Sequence, residues 1–412
     1  MQRRENDKMR AAWQQGLEVL GASDEQLERG LALHAKLLPC DTFGFLPSVL
    51  GADFAQQYNA LKDAHIGAQQ LQWEIGMIRA VAATYDEGAA DEFLMALQAT
   101  GLKAMVQTVA EGKDREQDIK RMAASRQCLR VFRKYLVQAG SVEEIQEANE
   151  AGRIAVIWSC NGPPIVGRLE DRAEELSWVE TWYNLGIRLM HLTYNRRNFI
   201  GDGCAEPANG GLSELGRDLI AEMNRVGIIV DTPHSGIRTT LDAAETSTKP
   251  IMASHSGARA VFDHMRCKTD EEIRAIAATG GVIGVYALPS MLGPDATLRT
   301  MLDHICYIAE LVGPDHVAIG TDTTYSATWP QGISGYTGAR YSSSWWGNWN
   351  ERNHPLSGKS GPLSDSLAWT NWPLYTVGLV TRGFSDEEIA KILSGNFLRV
   401  LQANRPDREV RV

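Results

Sequence analysis

The chain has 412 residues, a formal net charge of −10, 44% hydrophobic and 22% charged residues, which is ordinary for a globular protein and excludes a disordered one. No apolar run reaches the roughly 18 residues that a membrane helix needs, and the polar start shows no secretory signal, so we expect a cytoplasmic protein. Its six cysteines include no Cys-x-x-Cys pair, and the acidic balance argues against nucleic acid or an anionic membrane as a partner.

The predicted elements begin with a helical N-terminal extension over residues 1–36, where Ser23 and Gln26 have the spacing of a capping box. From residue 37 onward, short continuous apolar runs, typical of strands buried on both faces, alternate with longer segments of helical periodicity. The predicted strands are 37–41, 104–109, 154–160, 187–193, 227–231, 250–253, 281–286 and 316–320. The predicted helices include 171–184, 212–226, 271–278 and 297–311.

Eight such strands with crossover helices predict an α/β protein, a (β/α)₈ TIM barrel that forms one domain over residues 37–412. A doubly wound sheet would normally show a Gly-rich phosphate turn after the first strand, and this chain has none there. After the eighth strand, residues 325–372 carry six tryptophans among Gly and Ser with no helical or strand period. We expect this segment to be a lid-like loop over the C-terminal face of the barrel, where active sites lie.

Candidate functional residues are the polar side chains at the carboxyl ends of the predicted strands. They are Asn161 after the third strand, Tyr194 after the fourth, His234 after the fifth, His255 after the sixth and Asp322 after the eighth. Two imidazoles and a carboxylate at one barrel mouth are the usual ligands of zinc or a similar divalent ion. The other seven histidines are weaker candidates, because a lone histidine is more often a packed or exposed residue; His191 is interpreted in this way, inside the fourth strand.

A set of segments between residues 185 and 400 has a familiar order and spacing. The segments are Leu185-Gly186-Ile187-Arg188 leading into Leu192-Thr193, Asp-Thr-Pro-His-Ser at 231–235, Ala-Ser-His-Ser-Gly-Ala-Arg at 253–259, Met265-Arg266, Ile-Gly-Thr-Asp at 319–322 and Gly-Asn-Phe-Leu-Arg-Val at 395–400. They resemble the renal or membrane dipeptidase family, and the resemblance covers residues 36–402. It implies a metal-binding barrel related to amidohydrolases that hydrolyses dipeptides with two zinc ions, bridged by a carboxylate and a water.

Four of the family's functional positions carry over residue by residue. The resemblance implies that His234 and His255 bind metal, that Asp322 is the acid/base residue, and that Arg266 binds the substrate carboxylate. Arg266 suits this role because a guanidinium holds a carboxylate by two parallel hydrogen bonds.

The remaining positions of the family's site have changed. The His-x-Asp pair of the first strand falls on Phe43 and Phe45, the bridging Glu on Asn161, and the substrate-polarising His on Tyr194. Phenylalanine offers no lone pair, and two cations need the bridging carboxylate, so we expect at most one divalent metal, Zn²⁺. Its predicted ligands are His234, His255 and Asp322, with Asn161 or the Cys160 thiolate as a further one.

Tyr194 can donate to a developing oxyanion, and Phe43 and Phe45 make the mouth more aromatic than a dipeptide site needs. The sequence therefore predicts a dipeptidase-like hydrolase for a small substrate with a carboxylate and possible aromatic character. A metal-free acid/base enzyme such as a lyase or isomerase, and an inactive binding protein, remain open alternatives because function depends on the site rather than the fold. The resemblance also implies a homodimer.

Overall fold

The computed structural model describes residues 4–167, 171–333 and 361–406. Its parallel strands form one sheet, in which eight strands make a nearly closed barrel and a ninth pairs outside it. The strands are β1 (Cys40–Gly44), β2 (Ala104–Ala110), β3 (Leu136–Gln138), β4 (Ile154–Cys160), β5 (Ile187–His191), β6 (Ile229–Asp231), β7 (Met252–Ser256), β8 (Val282–Val285) and β9 (Val317–Ile319). Their order around the barrel is β1-β2-β4-β5-β6-β7-β8-β9, and β3 pairs with β4. The predicted α/β barrel is confirmed.

The barrel closes between β1 and the residues that follow β9. The Asp322 N–H donates to the Phe43 carbonyl at 2.7 Å, and the Phe45 N–H donates to the Thr323 carbonyl at 3.1 Å. Inside the barrel the chains approach so closely that a Cβ at Gly320 would overlap the Ser254 carbonyl oxygen. The carboxyl ends of β1 and β9 are therefore fixed against each other.

Helices lie between the barrel strands and at both ends of the described chain. They are α1 (Asp7–Leu20), α2 (Asp24–Lys36), α3 (Phe54–Asp63), α4 (Ala68–Val81), α5 (Glu87–Thr100), α6 (Arg115–Val131), α7 (Val142–Glu150), α8 (Arg172–Leu185), α9 (Glu214–Val226), α10 (Ile237–Thr246), α11 (Asp270–Ala278), α12 (Pro289–Leu292), α13 (Leu298–Val312), α14 (Trp372–Thr381), α15 (Asp386–Ala390) and α16 (Asn396–Asn404). Among the described residues, no helix is both long enough and apolar enough to cross a membrane.

The first two helices pack on the C-terminal part of the chain. The predicted capping box of Ser23 and Gln26 starts α2. Further along α2, buried His34 bonds to the Thr376 hydroxyl and to the Thr100 carbonyl, both at 2.8 Å. Burial lowers the pKa of His34 to about 4, so this contact between α2 and α14 uses the neutral imidazole.

The predicted tryptophan-rich lid, residues 325–372, lies partly outside the described residues. Trp345, Trp346, Trp349 and His354 fall there. The C-terminal end of the segment belongs to the protein core. Trp369 and Trp372 are buried there, and their indole N–H groups donate to Asp41 Oδ2 at 3.1 and 3.4 Å.

Several strand bounds differ from the prediction by up to three residues; the first strand, predicted over 37–41, is Cys40–Gly44, and the fourth, predicted over 187–193, ends at His191. Two further differences have a clear physical reason. The short strand β3 was missed, because three residues carry too little periodicity to stand out. Strand β7 starts and ends later than the predicted 250–253, since Ser254, His255 and Ser256 continue it. Polar residues continue a barrel strand when their side chains face other polar groups rather than an apolar layer, so His255 lies within the strand.

Candidate active site

The predicted site residues lie at the carboxyl ends of the barrel strands, and two of them meet directly. His234 follows β6, His255 lies in β7, and both are buried. Their Nε2 atoms are 3.1 Å apart.

The hydrogen bonds of the other ring nitrogens fix the tautomer of both imidazoles. His234 Nδ1 lies 2.7 Å from Asn195 Oδ1, an acceptor, so this nitrogen carries the proton. His255 Nδ1 lies 2.9 Å from Ser254 Oγ, and that hydroxyl donates its own proton to Asp231 Oδ2 at 2.6 Å. His255 Nδ1 must therefore also be the donor. Both Nε2 atoms then present lone pairs to each other.

Electrostatics keep the two imidazoles neutral. Burial, followed by the charge of Arg266, lowers the pKa of both His234 and His255 well below the ordinary value. A proton shared between the two Nε2 atoms is disfavoured for the same reasons. Neutral imidazole nitrogens with available lone pairs are common ligands of divalent cations.

A third histidine belongs to this cluster, although the sequence analysis set it aside. His191 ends β5, is fully buried, and pairs in register with Asp231 of β6. Its Nε2 is 3.0 Å from Asp231 Oδ2, yet neither ring nitrogen makes a hydrogen bond within the described residues. Its ring centroid is 5.3 Å from that of His255. The predicted strand runs to residue 193, so His191 stands inside it and no sequence pattern indicates that its ring belongs to this cluster.

Phe43 fills the space beside the histidines. Its ring stacks on His255 with centroids 3.9 Å apart, and it lies 5.3 Å from the His191 ring. Phe45 meets Phe43 edge to face at 5.6 Å. An aromatic ring thus stands at the position where the family resemblance would put a metal-binding histidine.

Arg266 is a buried cation beside the histidine pair. It is 1% exposed, and its guanidinium donates to the carbonyls of Pro233 and His255. In the described part of the chain its partners are these two carbonyls and the Tyr286 ring, none of them a carboxylate, and its Nε has no partner. A buried charge without a counter-ion is costly, so the site favours an anion here.

Asp322 lies three residues after β9 in a backbone conformation that is uncommon for residues other than glycine. Its φ is +53°, in the left-handed region. Strain of this kind occurs at functional sites that the surrounding structure holds in place. Among the described residues, no three His, Cys, Asp or Glu side chains are grouped so as to hold a metal ion, so His234, His255 and Asp322 are not assembled as a complete ligand set.

A cavity of about 640 Å³ lies beside the histidine pair, between the loops that follow β2, β4 and β5. Tyr194 lines it and stacks on the His234 ring with centroids 4.0 Å apart. Asn161 also lines it; its Oδ1 accepts from Thr108 at 2.8 Å, and its Nδ2 donates to Glu111 Oε2 at 3.2 Å.

Glu111 and Cys160, at the ends of β2 and β4, bear on the predicted set of metal ligands. Glu111, the first residue after β2, was not singled out although it is a carboxylate at a strand end. The Cys160 thiol donates to the Gly162 carbonyl at 2.6 Å, and burial raises the pKa of this thiol well above its ordinary value. A thiolate ligand at Cys160 is therefore disfavoured.

Together, the barrel and the polar cluster at its carboxyl end define a (β/α)₈ barrel enzyme. The sequence model of the membrane dipeptidase family, Peptidase family M19, matches residues 28–340. The chain therefore belongs to this family and is a dipeptidase-family hydrolase.

Individual relatives agree with this assignment. The chain is 26% identical over 391 residues to dipeptidase verJ of Clonostachys rogersoniana, covering 92% of this chain and 87% of that protein. It is 24% identical over 279 residues to dipeptidase tcpJ of Claviceps purpurea, covering 66% of this chain but only 56% of that protein. A solved amidohydrolase from Pseudomonas aeruginosa shares the fold, with a TM-score of 0.67, 24% identity, and coverage of 91% of this chain and 98% of its own.

Proposed function

We propose that this protein hydrolyses an amide or related bond in a small substrate that carries a carboxylate, using at most one divalent metal ion, Zn²⁺. One observation carries the proposal: the Nε2 atoms of His234 and His255 lie 3.1 Å apart in a buried site, and each has a lone pair that faces the other. Arg266, a buried cation without a carboxylate partner in the described part of the chain, supports the carboxylate on the substrate.

The spacing of the two histidine nitrogens fits one zinc ion, although among the described residues the third ligand is not in place beside them. Two nitrogens that each lie about 2.0–2.1 Å from a tetrahedral zinc are about 3.3 Å apart, close to the observed separation. His234 and His255 would hold the ion, with Asp322 as the proposed third ligand. Phe43 has no lone pair and occupies the space beside His255, which supports one ion rather than two.

The other residues of the site would bind the substrate, stabilise the developing charge and transfer the proton. A divalent metal at this position supplies Lewis-acid polarisation of the amide carbonyl. Arg266 binds and orients the carboxylate, and Tyr194 donates a hydrogen bond to the oxygen that becomes negative. The Asp322 carboxylate accepts a proton from the attacking water and passes it to the leaving nitrogen, which balances the hydrolysis. Asn161, Phe43 and Phe45 shape the substrate position.

Elemental analysis of the purified protein tests the proposal. We expect close to one zinc per chain, lost in His234→Ala and in His255→Ala. His316→Ala is the matched control, since His316 bonds to the Gly281 carbonyl at 2.8 Å in the turn that precedes β9.

The same preparations separate the rival functions. Two metals per chain would overturn the interpretation of Phe43, Phe45 and Asn161. Turnover that survives chelation would favour metal-free acid/base chemistry. The absence of turnover across dipeptides, acyl amino acids and aromatic acids would favour a binding protein.

A cytoplasmic location and a homodimeric state are parts of the same proposal. The composition supports the first, and the family resemblance supports the second. Cell fractionation and light scattering on the purified protein measure them directly. Material in the membrane fraction, or a monomer at micromolar concentration, would contradict the respective part.

A further inference from the structure

Lys268 is a buried lysine in the loop between β7 and α11, two residues after Arg266. Its ammonium donates to the Ser235 carbonyl at 3.0 Å, to Thr240 Oγ1 at 2.9 Å and to Glu272 Oε1 at 2.9 Å. An ammonium has three protons, so each of them has a protein partner. The side chain therefore connects the loop after β6 with the helices α10 and α11.

The charge of Lys268 is balanced by Glu272. Both side chains are 2% exposed, and the second oxygen of the carboxylate accepts from the Thr269 N–H at 2.9 Å, at the start of α11. A buried ion pair contributes little net stability compared with apolar side chains of similar volume. Stability alone therefore does not account for a lysine at this position, and the groups that its ammonium holds become the relevant question.

The lysine ammonium holds the backbone beside His234. Ser235, whose carbonyl accepts from it, directly follows that histidine. On the other side, the Pro233 carbonyl accepts from the Arg266 guanidinium. The His234 carbonyl itself accepts from the Cys204 N–H at 2.8 Å. Three consecutive carbonyls thus have donors, and the backbone from which the His234 ring projects is held on both sides.

The two cations of this arrangement differ in what else they bind. In the proposed function, Arg266 binds the substrate carboxylate, and its Nε has no partner among the residues that the structure describes. All three ammonium protons of Lys268 are bonded to protein groups instead. The bond from Lys268 to the loop after β6 therefore does not compete with substrate binding.

The loop after β6 sets the geometry of the histidine pair. His234 Nε2 lies 3.1 Å from His255 Nε2, close to the separation that one tetrahedral ion needs. His255 is part of β7, whereas His234 stands in the loop. A displacement of the loop changes the distance between the two nitrogens directly, so the position of the loop decides whether both reach one ion.

We infer that Lys268 is a positioning residue, whose bond to the Ser235 carbonyl holds His234 Nε2 opposite His255 Nε2 so that both reach one metal ion. This inference rests on the proposed function, because it takes the histidine pair as the metal-binding site. In this role Lys268 acts through the backbone of the loop and contacts neither the ion nor the substrate.

The zinc Kd of variants of the full chain, measured by chelator competition, tests the inference. Lys268→Met alone would leave the Glu272 carboxylate buried and unpaired, so the double variant Lys268→Met/Glu272→Gln is used. We expect its zinc Kd to rise by about 10–100-fold, the usual effect of losing a group that orients a metal ligand. Glu272→Gln alone removes the ion pair but keeps the bond from the lysine to Ser235. Its zinc Kd should rise by less than about threefold, as for a site that does not couple to the metal.

Lys249→Met is the matched control for the loss of a lysine that holds backbone carbonyls. Lys249 precedes β7, at the opposite end of the barrel, and donates to the Asn404 and Arg405 carbonyls at 3.1 and 2.9 Å. Its zinc Kd should also change by less than about threefold. Urea unfolding of each variant verifies that it is folded under the conditions of the zinc measurement.

Two results would overturn the inference. One is a zinc Kd of the double variant within about threefold of the wild-type value. The other is an equal rise in Glu272→Gln, because the ion pair rather than the bond to Ser235 would then be responsible.

A wild-type protein that binds no zinc would contradict the proposed function, and ¹⁵N NMR of the metal-free imidazoles would then decide the inference. It stands if His234 carries its proton on Nδ1, which faces Asn195 Oδ1 at 2.7 Å, in the wild type and in Glu272→Gln but is a mixture of tautomers in the double variant. The same His234 tautomer in all three proteins would overturn it.

Discussion

Ser254→Ala probes the link between the histidine pair and the carboxylate behind it. In the wild-type protein, Ser254 Oγ accepts from His255 Nδ1 at 2.9 Å and donates to Asp231 Oδ2 at 2.6 Å. The alanine variant removes the acceptor that fixes the His255 tautomer. The imidazole can then place its proton on Nε2, which faces His234.

The expected magnitude follows from the burial of these groups. All three side chains are buried, so a lost partner is not replaced by bulk water. Leaving a buried N–H group unsatisfied costs about 1–3 kcal/mol in the free energy of unfolding. Loss of an outer partner of a metal-binding histidine lowers metal affinity by about 10–100-fold, so we expect the zinc Kd to rise by that factor.

Chelator competition measures the zinc Kd, and ¹⁵N NMR of the imidazoles reports the tautomer directly. Ser159→Ala is the matched control, since Ser159 is a buried barrel serine whose hydroxyl donates to Thr108 Oγ1 at 3.2 Å. It should leave both measurements unchanged. An unchanged zinc Kd in Ser254→Ala, or a wild-type His255 protonated on Nε2, would refute the reasoning.

Three further predictions concern charge. Arg266→Met should lower kcat/KM by about 10²–10³-fold for a dipeptide but by less than about tenfold for its carboxyl-terminal amide, because only the dipeptide has a carboxylate that Arg266 can bind. Equal losses of kcat/KM for the two substrates would contradict this. Burial lowers the pKa of His34 from 6.5 to about 4, so the free energy of unfolding should fall by about 3 kcal/mol as the pH drops from 6.5 to 4. In His34→Gln, urea unfolding should show no such fall over this pH range. For Asp41, whose pKa is raised by burial from 3.8 to about 7, stability falls by about 4 kcal/mol as the pH rises through this window, and Asp41→Asn should be the less pH-dependent protein by the same measurement.

Much of the barrel follows from local patterns. Continuous apolar runs mark strands buried on both faces, and their alternation with helical periodicity limits the fold to a small set in which the barrel fits best. Strand β3 was not predicted because its three residues are too few to show a hydrophobic periodicity. The prediction missed the end of β7 because Ser254 and His255 are polar. Hydropathy alone cannot show that a polar residue faces a polar barrel interior.

The candidate site was predictable where strand ends are easy to locate. His234 and His255 were found because each stands near the end of a strand, and their contact followed once the barrel was assumed. His191 was missed because a histidine inside a strand gives no sign of which side of the sheet it faces. Glu111 was missed although it stands only two residues after the predicted second strand, 104–109.

By itself, the sequence determined the order of the barrel strands and the barrel class, because these depend on residue type and spacing along the chain. The family resemblance added the expectation that Phe43 and Phe45 stand at two metal-binding positions. Only the tertiary structure decided that Phe43 stacks on His255, that Asp231 and Ser254 set the tautomer of that histidine, and that Arg266 is buried without a carboxylate partner among the described residues. Tautomers and counter-ions depend on distances of about 3 Å between residues far apart in the chain, and no local pattern encodes such distances.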